Sequence, residues 1–151
     1  MRVVLQRVSR ASVTVDGETT GVIGAGLLAL VGVGSGDTDE DARTAASKIA
    51  TMRIFSDDDG KMNRSIVDAC GAVLLVSQFT LIADVRKGRR PAFTGAAGPD
   101  RAGPILDSLA RELEAHEVPV AHGRFGAHMD VELLNDGPVT IVFDVLDGRV
   151  Q

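Results

Sequence analysis

The sequence predicts an α+β fold, with a strongly twisted, barrel-like β-sheet and two main helices. Three observations lead there. Short β-rich runs crowd the first and last thirds of the chain, and only two segments space their apolar residues as one helical face. Strands outnumber helices about four to one and are grouped rather than strictly alternating with them. A chain of 151 residues fits a single domain, 1–151. At that length it can bury roughly 70% of its unfolded surface without staples.

The elements follow in order. Val3 to Val8 reads as a first strand and Ala11 to Val15 as a second, with Ser12 and Thr14 alternating against Val13 and Val15. Asp16-Gly17 is a hairpin signal, followed by strands over Thr19 to Ile23 and the more apolar Leu27 to Val33. Thr38 caps a helix that runs to about Met52. Asp39, Glu40 and Asp41 in its first turn suit the macrodipole, and its inner stripe is Ala42, Ala45, Ala46, Ile49 and Ala50. Ser56 to Gly60 is a loop. Ala72 to Val76 is a buried strand that delivers the polar cluster Ser77-Gln78-Phe79-Thr80. Ala83 to Gly103 is a long Gly/Pro-rich connection of the kind more often functional than idle. A second helix begins near Arg101 to Pro104 and buries Ile105, Leu106, Leu109, Ala110 and Leu113. Pro119 to Ala121, Met129 to Leu134 and Val139 to Val145 close the fold as strands.

Composition narrows the function classes. Cys70 is the single cysteine, so an intramolecular disulfide and a multi-cysteine zinc site are excluded. Its neighbours Ala69 and Gly71 supply no activating charge, which makes it a packing residue expected to be buried. Arg2 and Arg7 interrupt the N-terminus before a signal-peptide apolar region forms, and the longest apolar run, Gly26 to Val33, is far short of a spanning helix. A soluble, cytoplasmic chain with no membrane partner is expected. Net charge is −5, yet Arg86, Lys87, Arg89 and Arg90 place four cations in five positions. That loop is either solvated or in contact with phosphates. Trp and Tyr are absent, which removes the stacking platforms of a general single-strand binder, and no DNA partner is expected. No nucleophile elbow, His-Glu-x-x-His, phosphate-binding loop or dinucleotide fingerprint is present. His116, His122 and His128 lack metal-ligand spacing, so neither metal nor cofactor is expected.

Two segments stand out. Asn135-Asp136-Gly137-Pro138-Val139-Thr140 puts a glycyl-proline inside β-rich sequence, and proline gives no N–H to a ladder. It marks an ordinary hairpin turn or a break in pairing with carbonyls free to point elsewhere. Ser77-Gln78-Phe79-Thr80-Leu81 ends a buried strand in hydroxyl and amide groups. Together they resemble the two signature motifs of the D-aminoacyl-tRNA deacylases. The likeness is collinear through Gln6-Arg7-Val8, Ala11-Ser12-Val13, Gly24 to Leu28, Arg53-Ile54-Phe55, Gly60 to Asn63, Arg90-Pro91-Ala92-Phe93 and Gly123 to Met129. Ala92 and His128 depart from the residues often found there, serine and an acid.

The resemblance implies a homodimeric hydrolase that cleaves the ester between a D-amino acid and the terminal adenosine of tRNA, and also removes mischarged glycine. Ser77, Gln78, Phe79 and Thr80 would be the catalytic segment, with backbone N–H groups near Phe79 and Thr80 as oxyanion donors. Thr80 is a nucleophile or, with no neighbouring base, an orienting hydroxyl. Ser77 alternatively only caps a strand end. Gly137 and Pro138 would reach into the partner subunit's pocket and select chirality with backbone atoms, anchored by Arg7. Phe125 and Met129 would wall the pocket. Arg7, Phe125 and Met129 are equally intelligible as structural residues. The rival from another class is a noncatalytic module that binds tRNA ends or joins an editing complex.

Overall fold

Val3 and Leu5, then Ala11, Val13 and Val15, set apolar residues at alternate positions, the period of a two-faced strand. In a computed structural model, which describes residues 1–151, strand β1 runs unbroken over Arg2–Val15. The sequence pattern predicts two strands here, and the difference is a bulge. Pairing with β8 (Asp130–Leu146) shifts register between Val8 and Arg10. The odd-numbered positions change face accordingly: Val3 and Leu5 join one buried cluster, and Ala11, Val13 and Val15 join another. One extra residue turns the side chains to the other face while the ladder continues.

The remaining strands are β2 (Glu18–Ile23), β3 (Gly26–Gly32), β4 (Phe55–Ser56), β5 (Met62–Arg64), β6 (Ala72–Ser77), β7 (Val120–His122) and β9 (Arg149–Val150). Helices α1 (Asp39–Thr51) and α2 (Pro99–Ala115) and a 3₁₀ turn at Phe79–Ile82 complete the chain. The main sheet runs β7-β6-β3-β1-β8-β9, with β2 also paired to β1. It is mixed: β3, β6 and β7 are parallel neighbours, and the rest pair antiparallel. The parallel steps contain α1 and α2, as crossover connections require, and both helices pack into one core. The expected α+β architecture with two helices on a curled sheet is therefore present.

Alternation splits the interior in two. Leu27, Ala29 and Val31 of β3 join the helix-backed core of 25 buried residues, together with Ile49, Leu109 and Leu113. Leu28, Leu74 and Val76 face the other way, into a cluster of eight with Val8, Ala11, Val13, Val15 and Ile23.

Helix α1 begins at Thr38 as its sequence predicts. The Asp41 carboxylate accepts from the Thr38 backbone N–H at 2.8 Å and its hydroxyl at 2.9 Å, and from Gly148 N–H at 2.9 Å. Burial pushes the Asp41 carboxyl up, but the bonds from Gly148 and Thr38 prevail and hold it below the usual range.

Several expectations are corrected. Helix α2 starts at Pro99 rather than near Arg101 to Pro104, because Pro99 at its first position, after Gly98, presets the helical φ. Pro104 then lies inside the helix, in its second turn, where it gives no N–H to the Asp100 carbonyl. The segments predicted as Met129 to Leu134 and Val139 to Val145 are one strand, β8, interrupted only by a bulge. Of the loop expected over Ser56 to Gly60, only Ser56 is strand, and the rest is the loop of a small β4–β5 hairpin. There Asp57 accepts from Asn63 Nδ2 at 2.6 Å, Lys61 N at 2.9 Å and Asp59 N at 3.0 Å. Those bonds, that of Asn63 first, lower its pKa. Cys70 is exposed rather than buried, because it occupies a turn with φ of +51°. No helix is long and apolar enough to cross a membrane.

Candidate active site

Ser77 ends β6, and its strand delivers the polar cluster into a cleft. Gln78 is fixed by its backbone N–H, which donates to Val31 O of the neighbouring parallel strand at 2.8 Å. The chain then winds into the 3₁₀ turn, whose first bond is donated by Leu81 N to Gln78 O at 3.2 Å. The N–H groups of Phe79 and Thr80 precede that bond and are free of the turn's own carbonyls. The Gln78 side-chain amide donates to Thr80 Oγ1. Phe79, although 55% exposed, meets the Phe93 ring edge-on at a centroid distance of 5.0 Å.

Ser77, Gln78, Phe79, Phe125 and Met129 line one cleft of about 550 Å³. Five of the six residues predicted as catalytic segment and pocket wall are thus gathered from two stretches more than forty positions apart in the chain. Thr80 is not among the lining residues and reaches the site only through Gln78. The rest of the wall was not anticipated: Phe93, Ala96 and Ala97 come from the long connection and Ala102 from α2. The one available signal was the density of Gly and Pro in that connection. The wall is chiefly apolar, so a polar group bound there is held by few, fixed partners.

Arg7, Gly137 and Pro138 do not line this cleft. They form a second constellation. Between Gln6 paired with Thr140 and Val8 paired with Asn135, the single residue Arg7 faces the four residues Asp136 to Val139. The Gly137-Pro138 peptide in this bulge is cis. Arg7 is 9% exposed, and its guanidinium donates to Ile54 O at 2.6 Å and to Asp136 O at 3.1 Å. It also pairs with the half-exposed Asp136 carboxylate at 3.1 Å. Asn135, whose role no sequence pattern signals, bonds Thr140 Oγ1 at 3.1 Å across the base of the bulge. Gly137 has φ of +129°, and a Cβ there would lie 3.0 Å from Arg7 Nη2 and 2.9 Å from Val139.

The basic loop lies next to the cleft. Asp84 and Ala92 close it with two backbone bonds of 2.7 and 2.9 Å, directly after the 3₁₀ turn and just before Phe93. Arg86 is clamped on Asp84 by bonds of 2.9 and 2.7 Å, which raise the Arg86 pKa and lower that of Asp84. Lys87, Arg89 and Arg90 are exposed and make no ion pair. No three His, Cys, Asp or Glu side chains cluster as metal ligands.

Comparison with known proteins agrees with the geometry. Residues 4–144 match the family model described as D-Tyr-tRNA(Tyr) deacylase. A protein of Chloroflexus aurantiacus named D-aminoacyl-tRNA deacylase is 58% identical over 99% of this chain and 94% of its own length. One of the same name from Thermomicrobium roseum is 60% identical over 99% of this chain and 97% of its own. Among solved structures, one titled c-Myc DNA Unwinding Element Binding Protein superposes with a TM-score of 0.90 at 39% identity, covering 97% of this chain and 99% of that one. A probable eukaryotic D-amino acid tRNA deacylase has the same fold, with a TM-score of 0.80 at 20% identity over 95% and 98% of the two chains. With a family match across nearly the whole length and relatives this similar, the chain belongs to the D-Tyr-tRNA(Tyr) deacylase family of hydrolases.

Proposed function

We propose that this protein hydrolyses the ester that joins a D-amino acid, or mischarged glycine, to the 3′-terminal adenosine of tRNA, and leaves L-aminoacyl-tRNA intact. The observation that carries the reading is the strand-end turn. It begins at the cleft that Ser77, Gln78 and Phe79 line, and its leading N–H groups, those of Phe79 and Thr80, are not used by the turn's own carbonyls. An aminoacyl ester is already activated, so catalysis needs positioning and stabilisation of the developing oxyanion more than a strong nucleophile. Water attacks the ester carbonyl. The Phe79 and Thr80 N–H groups stabilise the tetrahedral oxyanion, and the bond to the ribose oxygen breaks, releasing the free amino acid and the tRNA hydroxyl. Thr80 has no basic partner; its hydroxyl oxygen accepts from the Gln78 amide. It acts as an orienting hydroxyl. Phe125 and Met129 wall the nucleoside.

Chiral choice falls to the bulge. Gly137 and Pro138 lie outside their own subunit's cleft, so they act in the cleft of a second copy, where their carbonyls hold the substrate amino group and occupy the space of an L side chain. The working enzyme is therefore a cytoplasmic homodimer. Lys87, Arg89 and Arg90, with Arg86 partly neutralised by Asp84, hold tRNA phosphates beside the cleft. A noncatalytic tRNA-end module has no specific observation in its favour.

Release of tyrosine from D-tyrosyl-tRNA but not from L-tyrosyl-tRNA tests the reading. Equal release from both would remove the chiral claim, and release from neither would remove the catalytic one. A monomer by light scattering at micromolar concentration with full D-specific activity would refute the shared site.

A further inference from the structure

A second groove of about 520 Å³ runs beside the candidate active site and shares two of its walls, Ser77 and Phe125. Its floor is apolar, from Leu75 and Leu106, and its polar side chains include Asp107 and His122. No Lys or Arg lines it, which makes it a poor seat for phosphate. Asp107 takes part in none of the chain's ion pairs, so its carboxylate is free to accept hydrogen bonds. Phe125 is 44% exposed and lines both cavities, which leaves part of its ring available to a flat partner.

An apolar floor, an exposed aromatic at one end and a lone acceptor carboxylate together suit a neutral heterocycle with an exocyclic amino group. We infer that this groove seats the penultimate base of the tRNA 3′ end, a cytosine, with Asp107 accepting from its N4 amino group and Phe125 separating it from the terminal adenine. This deepens the proposed function and rests on its placement of the terminal adenosine in the neighbouring cleft. Cytosine offers a donor at that edge, whereas uracil offers a carbonyl oxygen that a carboxylate repels. The groove thereby reads one base next to the ester. Gly103 on α2 leaves it open, since a Cβ there would meet nothing within 4 Å.

The test uses D-tyrosyl esters of adenosine, of the dinucleotide CpA and of UpA. Wild-type kcat/KM for the CpA ester should exceed that for the UpA ester by about tenfold, the discrimination of a single good base contact. Asp107→Asn should level the two, because an amide can turn to satisfy either base. Gly103→Leu improves helix propensity and fills the groove, so it should bring both dinucleotide esters down to the rate of the adenosine ester without changing the latter. Equal wild-type rates for CpA and UpA would overturn the inference. So would a Gly103→Leu loss equally large on the adenosine ester, or a changed preference of Asp107→Asn between D-lysyl and D-tyrosyl adenosine, which would assign the groove to the amino-acid side chain. Failure of the wild type on all three esters and on D-tyrosyl-tRNA would instead overturn the proposed function beneath it.

Discussion

The strand-end turn at Phe79–Ile82 and the bulge of Asp136 to Val139 both depart from the sheet, but they are secured in opposite ways. The turn leans on little. One backbone bond to β3 fixes its start, and Phe79 and Thr80 project outward. The bulge contains no catalytic side chain, yet a buried guanidinium holds it through two carbonyls. The contrast separates a lightly held turn, where a change should spare stability, from a tightly held bulge, where a change should lower it.

Removing the anchor gives the largest expected effect. Arg7→Leu leaves Ile54 O and Asp136 O without their donor. Two charge-assisted bonds are lost, and the stability change should be about 3 kcal/mol, with little added by the half-exposed Asp136 carboxylate. The urea midpoint at constant slope measures it. A shift worth less than about 0.5 kcal/mol would show that Asn135 and Thr140 hold the bulge unaided.

Gly137→Ala attacks the same region by sterics. Its φ of +129° is strained for any L side chain, and the new Cβ would crowd Arg7 and Val139, for an expected cost of about 2 kcal/mol. An unchanged Tm would mean that the bulge relaxes freely, against the contrast drawn here.

On the turn side the effects should appear in binding and turnover. Joint replacement of Lys87 and Arg89 by alanine should lower the slope of log K against log salt for tRNA by about 1.4 to 1.8 units, the release expected from two phosphate contacts. An unchanged slope would make the loop a solvated one. Thr80→Ser is the mildest change. Thr80 is exposed, so stability should move by less than about 0.5 kcal/mol, and activity should stay within about tenfold. Thr80→Ala should also retain activity, where loss of a nucleophile typically costs several orders of magnitude.

The same contrast governs what the sequence discloses. Elements of five or more residues announce themselves through period: the alternation of β1, the alanine stripe of α1 and the apolar face of α2 were all readable. The abrupt polar cluster after Val76 also marked the turn. A ladder that continues past a bulge leaves no such trace, so β1, with one extra residue, and β8, with the Gly-Pro bulge, each read as two strands. The two- and three-residue strands β4, β5 and β9 are too short for any period. That Arg7 meets Asp136, 129 positions away, is invisible to local pattern and was available only through family resemblance. Phe93, Ala96 and Ala97 escaped because an irregular connection has no repeat from which to read an inward face.

Strand β1 has a consequence for the birth of the molecule. Its first residues lie between β3 and β8, and Arg2 meets Asp144 across 142 positions of chain. A ribosome must therefore deliver almost the entire polypeptide before the first strand acquires its second neighbour. Until then one long edge of β1, rich in valine, stands open as a template for wrong partners. The nascent chain's exposure to misassembly is thus set by the time needed to synthesise everything between its two ends.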